Sequence, residues 1–536
     1  MRKNHLVILL FFIMTLASGQ QRDYIFGQLV DATQNEPIPF ATIRFKDKAL
    51  GVISNVDGTF KIPIRYKTLG DTIAISCMGF ENKEVSVQDL KEGESNIIIL
   101  KPGTFELIEA VVSANIKKLS AKQIVKIAVN SIPQNFPDNN FRLVGYYRDY
   151  QIKNKEYTNL NEAIIQVLDD GFERKNNLYN QYKIYSYSKN FDFEIDSFAK
   201  QPYDYRKYNK IVPNAKMEND GGNEFITLSI HDAIRNYGIE SFSFVDNLAS
   251  DFIENHRFKL INESNYNKES IYEIELSFRN SDYLAKGKIF INTDDFAIHK
   301  LDYTVFKRKK PGDYSIAVNA SERYSDGFED MANEILYRIN TEYVRGPREK
   351  MFLNYISFYN KVMLQRPAEF KSKFVIDLED KSFKIRVNKI PADLVNIKTR
   401  DFKISYKNDF VPIKEFWFRE DERVFVVCPH VGYERAEHLF KGLFLEREDL
   451  QVSDVKYGYG DIKDSLGNKL DERKWEYIHQ YREFFTQEAK IGENTVEDMN
   501  DLMLKNLPLD SPEQPIFERE MKNEYWMNTP LPTFKN

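Results

Sequence analysis

The sequence lacks the features that mark disulfide-rich proteins. It holds only two cysteines in 536 residues, too few for a disulfide framework. Cys77 ends the strand pattern of residues 73–77, and Cys428 follows the apolar run 424–427. Because free cysteine behaves as a small apolar side chain, we interpret both as buried thiols and expect no bridge between them.

Long apolar runs and an excess of positive charge are also missing. The net charge is −6 and the mean hydropathy is −0.52, with lysine and arginine scattered among aspartate and glutamate. This pattern gives no reason to expect nucleic acid as a partner. Residues 6–17 form an apolar run, but it is shorter than the ~20 residues that cross a bilayer as a helix.

That apolar run is typical of an export signal. Arg2 and Lys3 precede it, and the small residues 17–19 follow it. Signal peptidase needs small side chains before the bond that it cleaves. We therefore predict a signal peptide over residues 1–19, cleaved between Gly19 and Gln20. No cysteine stands at that point to carry a lipid.

The short motifs of common catalytic sites are absent as well. The sequence has no His-Glu-x-x-His, Gly-x-Ser-x-Gly, P-loop or Gly-x-Gly-x-x-Gly. His430, Glu434 and His438 would share one helix face, but the two histidines would lie roughly 12 Å apart along it, too far for one metal ion. We predict no catalytic residue, no cofactor and no metal site.

Other polar patterns also have structural interpretations. The Ser-x-x-Lys matches at Ser186 and Ser197 lack the further motifs of a penicillin-binding site. The aspartate pairs 169–170 and 294–295 fall at predicted turns, where carboxylates cap the chain. Residues 229–234 are predicted to begin a helix, with Asp232 near its positive end.

From Tyr24 to Leu100, short alternating apolar runs are separated by turn residues. This rhythm is typical of an antiparallel β-sandwich. The seven predicted strands are residues 24–31, 41–46, 51–55, 59–64, 72–77, 81–87 and 96–100.

Three residues are predicted to shape the turns of this sandwich. Asp57 and Gly58 suit a hairpin turn, since this pair tolerates a positive φ. Gly79 is expected to reverse the chain after the fifth strand. Pro63 interrupts an alternating run, which places that strand at a sheet edge.

Four segments of this region run in the order and spacing of the carboxypeptidase regulatory-like family: residues 27–31, 37–43, 51–60 and 75–80. The resemblance implies a transthyretin-like sandwich with an accessory, non-catalytic role. The family is found at the N-terminus of Gram-negative envelope proteins, including SusC-type TonB-dependent receptors. It therefore implies a periplasmic or outer-membrane-surface location.

The chain then changes character. Ser120 and Gln123 form a predicted capping box at the start of a helix, which Pro133 and Pro137 end. Long strands rich in aromatic residues follow, with the alternation of antiparallel neighbours. They are predicted at residues 141–153, 158–168, 270–279, 287–293, 297–306, 334–344 and 352–363.

The rhythm of residues 272–303 loosely resembles the half-barrels of LolA-like lipoprotein carriers. That resemblance implies a curved sheet around an apolar cavity. The order of sandwich, helix and sheet also resembles a group of uncharacterised envelope proteins. Beyond residue 402 we predict helices at 433–444 and 472–488, and irregular chain in the proline-rich last forty residues.

The predicted fold is mainly β with α+β parts: a seven-stranded N-terminal sandwich, a large antiparallel sheet domain and a partly helical C-terminal region. The predicted boundaries are 1–19 signal peptide, 20–102 sandwich, 103–140 linker and helix, 141–400 sheet domain, and 401–536 C-terminal region.

Aromatic residues are the abundant feature, with 40 Phe and 31 Tyr. One dense group could form a stacking platform for sugars or a groove for a peptide or acyl chain. Packing on a large sheet is the favoured interpretation, since aromatic side chains suit strands. The group comprises Tyr182, Tyr185, Tyr187, Phe191, Phe193, Phe198, Tyr203, Tyr205 and Tyr208.

The predicted function is a non-catalytic exported envelope protein that binds an apolar, glycan or protein partner through the central sheet domain, with peripheral outer-membrane association as one arrangement. Two alternatives remain open. One is an envelope hydrolase with an unrecognised carboxylate site. The other is an outer-membrane β-barrel or its accessory, although the chain ends in Phe534-Lys535-Asn536 and not in an amphipathic strand.

Overall fold

A computed structural model describes most of the chain. The described residues are 24–46, 48, 50–103, 119–190, 193–204, 209–211, 221–238, 251–266, 269–308, 333–406, 409–430, 440, 455–492, 498–516 and 531. The predicted signal peptide with Gly19 and Gln20 lies outside them. So do Glu434, His438 and, apart from Phe440, the predicted helix 433–444.

Seven strands form the first folded part, and they confirm the predicted sandwich. Their core lies between two sheets, ordered β4-β1-β7 and β3-β2-β5-β6, and buries Ile25, Ile43 and Phe60. The sandwich is not wholly antiparallel, because β1 and β7 pair in parallel. The strands are β1 Tyr24–Asp31, β2 Thr42–Phe45, β3 Gly51–Ile53, β4 Thr59–Pro63, β5 Thr72–Ser76, β6 Lys83–Ser86 and β7 Ser95–Leu100, with helix α1 at Arg65–Thr68.

The turn at Asp57 and Gly58 has the backbone that glycine favours. Gly58 has φ of 72°, and its amide donates to the Asn55 carbonyl at 2.9 Å. The turn is not a hairpin, because β3 and β4 belong to different sheets. Gly79 also has a positive φ, of 89°. Pro63 ends β4, which is an edge strand.

A second, larger sheet runs through the middle of the chain. Its order is β10-β9-β8-β27-β19-β18-β17-β16-β15-β14, and the short β12 also pairs with β19. Adjacent strands are antiparallel through the series β14, β15, β16, β17, β18 and β19. They are also antiparallel through the series β27, β8, β9 and β10. The strands are β8 Phe141–Lys153, β9 Glu156–Asp169, β10 Gln181–Lys189, β11 Tyr203–Asp204, β12 Lys210–Ile211, β13 Gly221–Gly222, β14 Arg257–Tyr266, β15 Glu269–Arg279, β16 Tyr283–Asn292, β17 Ile298–Arg308, β18 Asn333–Arg345, β19 Met351–Gln365 and β27 Trp475–Ile491; β11 pairs with β13 apart from this sheet.

Strand β27 replaces the helix predicted at residues 472–488, so that prediction is wrong. Ile478, Gln480, Arg482 and Phe484 alternate along β27 and are all buried. Two of these four buried positions are polar. The apolar residues alone therefore do not show the alternation that is typical of a strand.

Four helices of the described chain follow the sandwich: α2 Ala121–Asn130, α3 Ile132–Asn135, α4 Glu224–Ile230 and α5 Asp251–Asn255. The predicted capping box is present, with Gln123 N donating to Ser120 Oγ at 3.3 Å and Ser120 N to Gln123 Oε1 at 2.9 Å. Side chains of α2, α4 and α5 share one core with the central sheet. We call the sheet surface beneath them the helix-covered face.

The prediction of a helix start at residues 229–234 is wrong. Helix α4 ends there, with His231 as its C-terminal cap. Its first turn is capped by Asn223, whose side chain accepts from the Ile226 amide at 3.1 Å. Asp232 therefore follows a helix C-terminus.

The sandwich contacts the opposite surface of the sheet, which we call the sandwich-side face. Phe40 stacks on Tyr355 of β19 with ring centroids 5.5 Å apart. Arg44 donates to Asn354 Oδ1 and to the Thr486 carbonyl, both at 2.8 Å. The large sheet is therefore covered on both faces where the sandwich lies.

Residues 364–476 form a separate compact unit between β19 and β27. Its sheets are ordered β20-β21-β25-β24 and β23-β22-β26, around a core that includes Phe383, Phe402 and Phe425. The division differs from the predicted boundary at 400/401, because β27 returns to the central sheet. The strands are β20 Ser372–Asp377, β21 Ser382–Val387, β22 Phe402–Tyr406, β23 Asp409–Val411, β24 Ile413–Arg419, β25 Val424–Pro429 and β26 Val455–Tyr459.

Cys77 and Cys428 are both free thiols. Each residue is partly buried and partly exposed. Burial raises the pKa of the Cys77 thiol to about 12. Within the described part of the chain, no helix has the length and apolar character needed to cross a membrane.

Candidate binding face

The acids predicted at turns are held by other side chains. Asp169 accepts from Arg235 Nε and Nη2 at 2.8 Å each, and from Asn180 Nδ2 at 2.6 Å. It also caps its turn by accepting from the Gly171 amide at 2.8 Å. At the second predicted turn, Asp295 accepts from Arg345 at 2.6 Å. Asp169 is buried with its hydrogen-bonding capacity used.

Asp232 lines a small cavity together with Asp169 and Arg235. The cavity lies on the helix-covered face of the sheet. Asp232 accepts from the Tyr343 hydroxyl at 2.6 Å, and burial raises its pKa to about 6. The cavity has a volume of about 50 Å³. Such a space accommodates a few water molecules, and an acyl chain would not fit.

A buried charge cluster crosses the same face of the sheet. Glu224 accepts from Arg482 Nε at 2.5 Å and also pairs with Lys210. Arg482 further donates to Asn360 Oδ1 at 2.6 Å and to the Tyr203 hydroxyl at 2.5 Å. Attraction to Arg482 and Lys210 outweighs desolvation and lowers the pKa of Glu224.

Asp149 is the other buried acid of this cluster. Its carboxylate accepts from the Tyr147 hydroxyl at 2.8 Å and from Asn161 Nδ2 at 3.1 Å. Burial, with the added repulsion of Glu224, raises its pKa to about 7. This cluster was not predicted, because its members come from β8, β12, α4 and β27 and share no local motif in the sequence.

Six members of the predicted aromatic group lie in the described part of the chain; two of them are buried and four are partly exposed, namely Tyr185, Tyr187, Phe193 and Phe198. Tyr182 and Tyr203 are 3% and 2% exposed, and Tyr182 packs edge-on against Phe225 at 5.3 Å. This arrangement agrees with packing on a large sheet. Phe191, Tyr205 and Tyr208 lie outside the described residues.

A different set of rings forms a continuous row on the sandwich-side face. Tyr150 stacks on Tyr481 with centroids 5.0 Å apart and an angle of 8°. Tyr481 contacts Tyr359 at 4.8 Å, and Tyr359 stacks on His479 at 5.9 Å and 9°. The Tyr359 hydroxyl and His479 Nδ1 are 2.8 Å apart. With Tyr157, whose ring lies 5.5 Å from Tyr150, these residues form the aromatic ladder.

The ladder passes from buried to exposed along β27. Tyr150 is buried, whereas Tyr359, His479 and Tyr481 are partly exposed. Tyr477, two residues before His479 on the same side of β27, is 52% exposed. The Lys361 ammonium lies 4.5 Å from its ring centroid and pairs with Glu334.

Strand geometry explains why these rings align. Successive side chains alternate between faces, so Tyr477, His479 and Tyr481 all point to one side of β27. The period-two run of aromatic residues could have revealed this row. It was missed because the segment was interpreted as a helix.

Among the described residues, no group of three or more His, Cys, Asp or Glu side chains is arranged to hold a metal ion.

Comparisons with known proteins identify one part of the chain. No curated protein matches it. Among solved structures, a domain named for outer membrane lipoprotein sorting from Vibrio parahaemolyticus matches with 10% identity and a TM-score of 0.21, covering 45% of this chain and 86% of that one. A DUF1329 family protein from Desulfovibrio piger matches with 9% identity and a TM-score of 0.20, again covering 45% and 86%. These TM-scores are too low to support an argument.

The model of the CarboxypepD_reg-like domain matches residues 25–112. This range contains strands β2 to β7 and all of β1 except Tyr24. The sandwich that contacts the central sheet is therefore a CarboxypepD_reg-like domain.

Proposed function

We propose that this protein is an exported, non-catalytic binding protein of the cell envelope, and that the aromatic ladder is its binding face. Envelope location is supported by the predicted signal peptide and by the sequence resemblance of the sandwich to envelope proteins. The proposal concerns a ligand or partner taken up by the central sheet.

The aromatic ladder is the observation that carries this proposal. Partly exposed rings lie in a continuous row on a sheet face that elsewhere contacts the sandwich. Contiguous exposed apolar surface marks binding sites on soluble proteins, and tyrosine is enriched at such sites. The cavity on the helix-covered face is small, so that face is the weaker candidate for binding a ligand or partner.

The buried acids support a non-catalytic role. Asp169 and Glu224 hold cations, and Asp232 and Asp149 accept hydroxyl and amide donors. A hydrolase needs a carboxylate that can reach substrate, but these four are buried.

A retention experiment with paired variants tests the proposal. The purified chain would be immobilised and exposed to a detergent-solubilised envelope fraction from the source cells, and bound protein, lipid and glycan would be quantified. Tyr359→Ala with Tyr477→Ala should reduce the retained component at least about tenfold, the size of a hot-spot loss.

Tyr179→Ala is the matched control. Tyr179 is a tyrosine that is 68% exposed outside the ladder, with Arg174 over its ring at 4.7 Å. This variant should retain the same material as the unmodified chain. Equal retention by ladder and control variants would refute the proposal, as would a hydrolytic activity that Asp232→Asn abolishes.

A further inference from the structure

We propose that the separate unit of residues 364–476 carries a binding site of its own, and that its ligand is an acidic oligosaccharide. The site is the outward surface of the β20-β21-β25-β24 sheet, which we call the cationic sheet face. It involves no residue of the aromatic ladder, so the inference is independent of the proposed function.

Strand alternation separates the inward side of this sheet from the outward side. Phe425 and Val427 of β25 lie in the core of the unit, and Phe416 and Phe418 of β24 pack against that core. Successive side chains of a strand point to opposite faces. Trp417, between the two inward phenylalanines, therefore points outward.

One row across the outward surface is mainly apolar. Its members are successive partners in register from β20 to β24: Val375, Lys384, Val426 and Trp417. Val375 and Trp417 are each 44% exposed. Within the described chain, no aromatic ring stacks on Trp417 and no cation lies over it. A sugar ring can lie on such an open indole, because its C–H bonds meet the negative face of the aromatic system.

The next row, two residues along each strand, is cationic. Its members are again successive partners in register: Lys373, Arg386, Val424 and Arg419. All three cations are exposed. Arg419 has an ion pair with Glu422 at 3.3 Å, whereas no carboxylate of the described residues pairs with Lys373 or Arg386.

The opposition of Lys373 and Arg386 is the observation that points to an anion. The two side chains lie directly opposite each other on neighbouring strands, and like charges in such a cross-strand pair are destabilising. A bound anion would relieve this repulsion. The planar guanidinium of Arg386 suits a carboxylate or a phosphate group, which it can bind through two parallel hydrogen bonds.

The opposite end of the cationic sheet face has acidic residues. Asp377 and Glu415 lie on the far side of the apolar row, and Asp377 pairs with Lys384 at 2.5 Å. The charge therefore changes sign along the strands. This order places the anionic group of the ligand at the end with Lys373 and Arg386.

The size of the face favours an oligosaccharide over a protein. Four strands of about six residues give an area of roughly 400 Å², from spacings of about 4.8 Å between strands and 3.4 Å between residues. A stable protein interface takes about 800 Å² from each partner. The same spacings put Trp417 and Arg386 about 12 Å apart, farther than a single sugar ring reaches.

Calorimetric titration of the full chain with tetragalacturonate, a carboxylated oligosaccharide, tests the proposal. Its methyl ester has the same rings without the charges and is the matched ligand. The acid should bind at least about tenfold more tightly than the ester, and the difference should shrink as salt is raised. A printed array of uronate, sulfated and phosphorylated oligosaccharides, each beside an uncharged counterpart, extends the comparison to other acidic sugars.

Variants of the cationic sheet face should separate stacking from charge. Trp417→Ala should weaken binding of the preferred acidic sugar about tenfold, and Trp417→Phe should restore part of it. Arg386→Gln should weaken binding by a similar factor. Because it removes a repulsive pair, its melting temperature should be equal to that of the unmodified chain or higher. Phe410→Ala and Lys403→Gln, at exposed positions on the outward side of the β23-β22-β26 sheet, should change neither property.

Four outcomes would overturn the proposal. One is that no acidic sugar binds more tightly than its uncharged counterpart. Another is that Arg386→Gln lowers the melting temperature together with binding, which would indicate a structural role. Binding to vesicles of phosphatidylglycerol and phosphatidylethanolamine, with no sugar bound, would identify a lipid surface instead. Loss of sugar binding in Tyr477→Ala, with Trp417→Ala unaffected, would place the sugar on the aromatic ladder.

Discussion

At the scale of single residues, the buried acids differ in the groups that hold them. Glu224 has two cations, whereas Asp149 has a hydroxyl and an amide. A charged carboxylate without a cation is costly to bury, so the folded state favours protonated Asp149. The two residues should therefore respond differently to pH and to substitution.

Asp149→Asn should stabilise the protein at high pH. The pKa of Asp149 is raised from 3.8 to about 7 in the folded chain. The stability that comes with this shift is present below pH 4 and is lost as pH rises toward 7, because only the unfolded chain ionises freely there. The asparagine variant should gain on the order of 1 kcal/mol in free energy of unfolding at pH 8, and less at pH 5.

Urea unfolding at the two pH values measures this difference. Asp89→Asn, at an exposed aspartate of the sandwich, is the control and should show no such pH-dependent gain. An Asp149→Asn variant that is less stable than the unmodified chain at pH 8 would show that the ionised carboxylate is needed.

Arg482→Gln should destabilise the protein strongly. It removes the guanidinium from Glu224 and breaks the bonds to Asn360 and Tyr203, all in buried surroundings. Breaking a buried ion pair by removing one partner costs about 3–5 kcal/mol. Denaturant unfolding should show that loss, while Arg279→Gln at an exposed position should change stability by less than about 0.5 kcal/mol. A small effect at Arg482 would mean that the cluster is hydrated.

At the scale of elements, the register of β8 and β27 makes a specific prediction. A Cβ at Gly145 would lie 2.5 Å from the Phe484 ring and 2.5 Å from the Phe485 carbonyl oxygen. The carbonyl belongs to the backbone of β27 and cannot rotate away. Gly145→Ala should therefore lower the free energy of unfolding by about 1–3 kcal/mol.

Gly458→Ala provides the matched control for this test. Gly458 also lies in a strand, β26, but a Cβ there has no atom within 4 Å. Thermal melting should show a clear drop for Gly145→Ala and little change for Gly458→Ala. Similar stability of the two variants would contradict the pairing of β8 with β27.

The contrast between these two strands explains what the sequence could predict. Strand β8 was predicted with the bounds that it has, because residues 143–147 are apolar, glycine or aromatic without interruption and Tyr150 and Ile152 continue the pattern. In β27 the inward Gln480 and Arg482 look like the exposed side of a helix. Their partners, such as Glu224, come from distant segments, and no local pattern shows that such polar residues are buried. The aromatic ladder was missed as a consequence, because β27 was interpreted as a helix.

At the scale of the whole chain, the two ends of one sheet face differ in what covers them. The CarboxypepD_reg-like sandwich occupies the end at Tyr355 and Phe485, and the ladder begins where that contact stops. Arg148 joins the two, because it donates to Asn55 of the sandwich at 2.5 Å and lies against the Tyr150 ring. The sandwich is thus positioned to form one wall of the proposed binding face.

Arg44→Ala should loosen the sandwich from the sheet without unfolding either. Arg44 donates to Asn354 and to the Thr486 carbonyl and lies over Phe485, and burial lowers its pKa to about 10. Hydrogen bonds from a charged donor contribute about 1.5–3 kcal/mol each, so their loss should raise amide exchange at the edges of this contact. Hydrogen–deuterium exchange should be faster around residues 354 and 486 and unchanged in the core of the sandwich. Lys46→Ala, which removes an exposed pair with Glu84, should leave exchange unaltered. Faster exchange throughout the sandwich would instead show that Arg44 supports the fold of that domain, and equal exchange in both variants would show that the contact does not depend on this arginine.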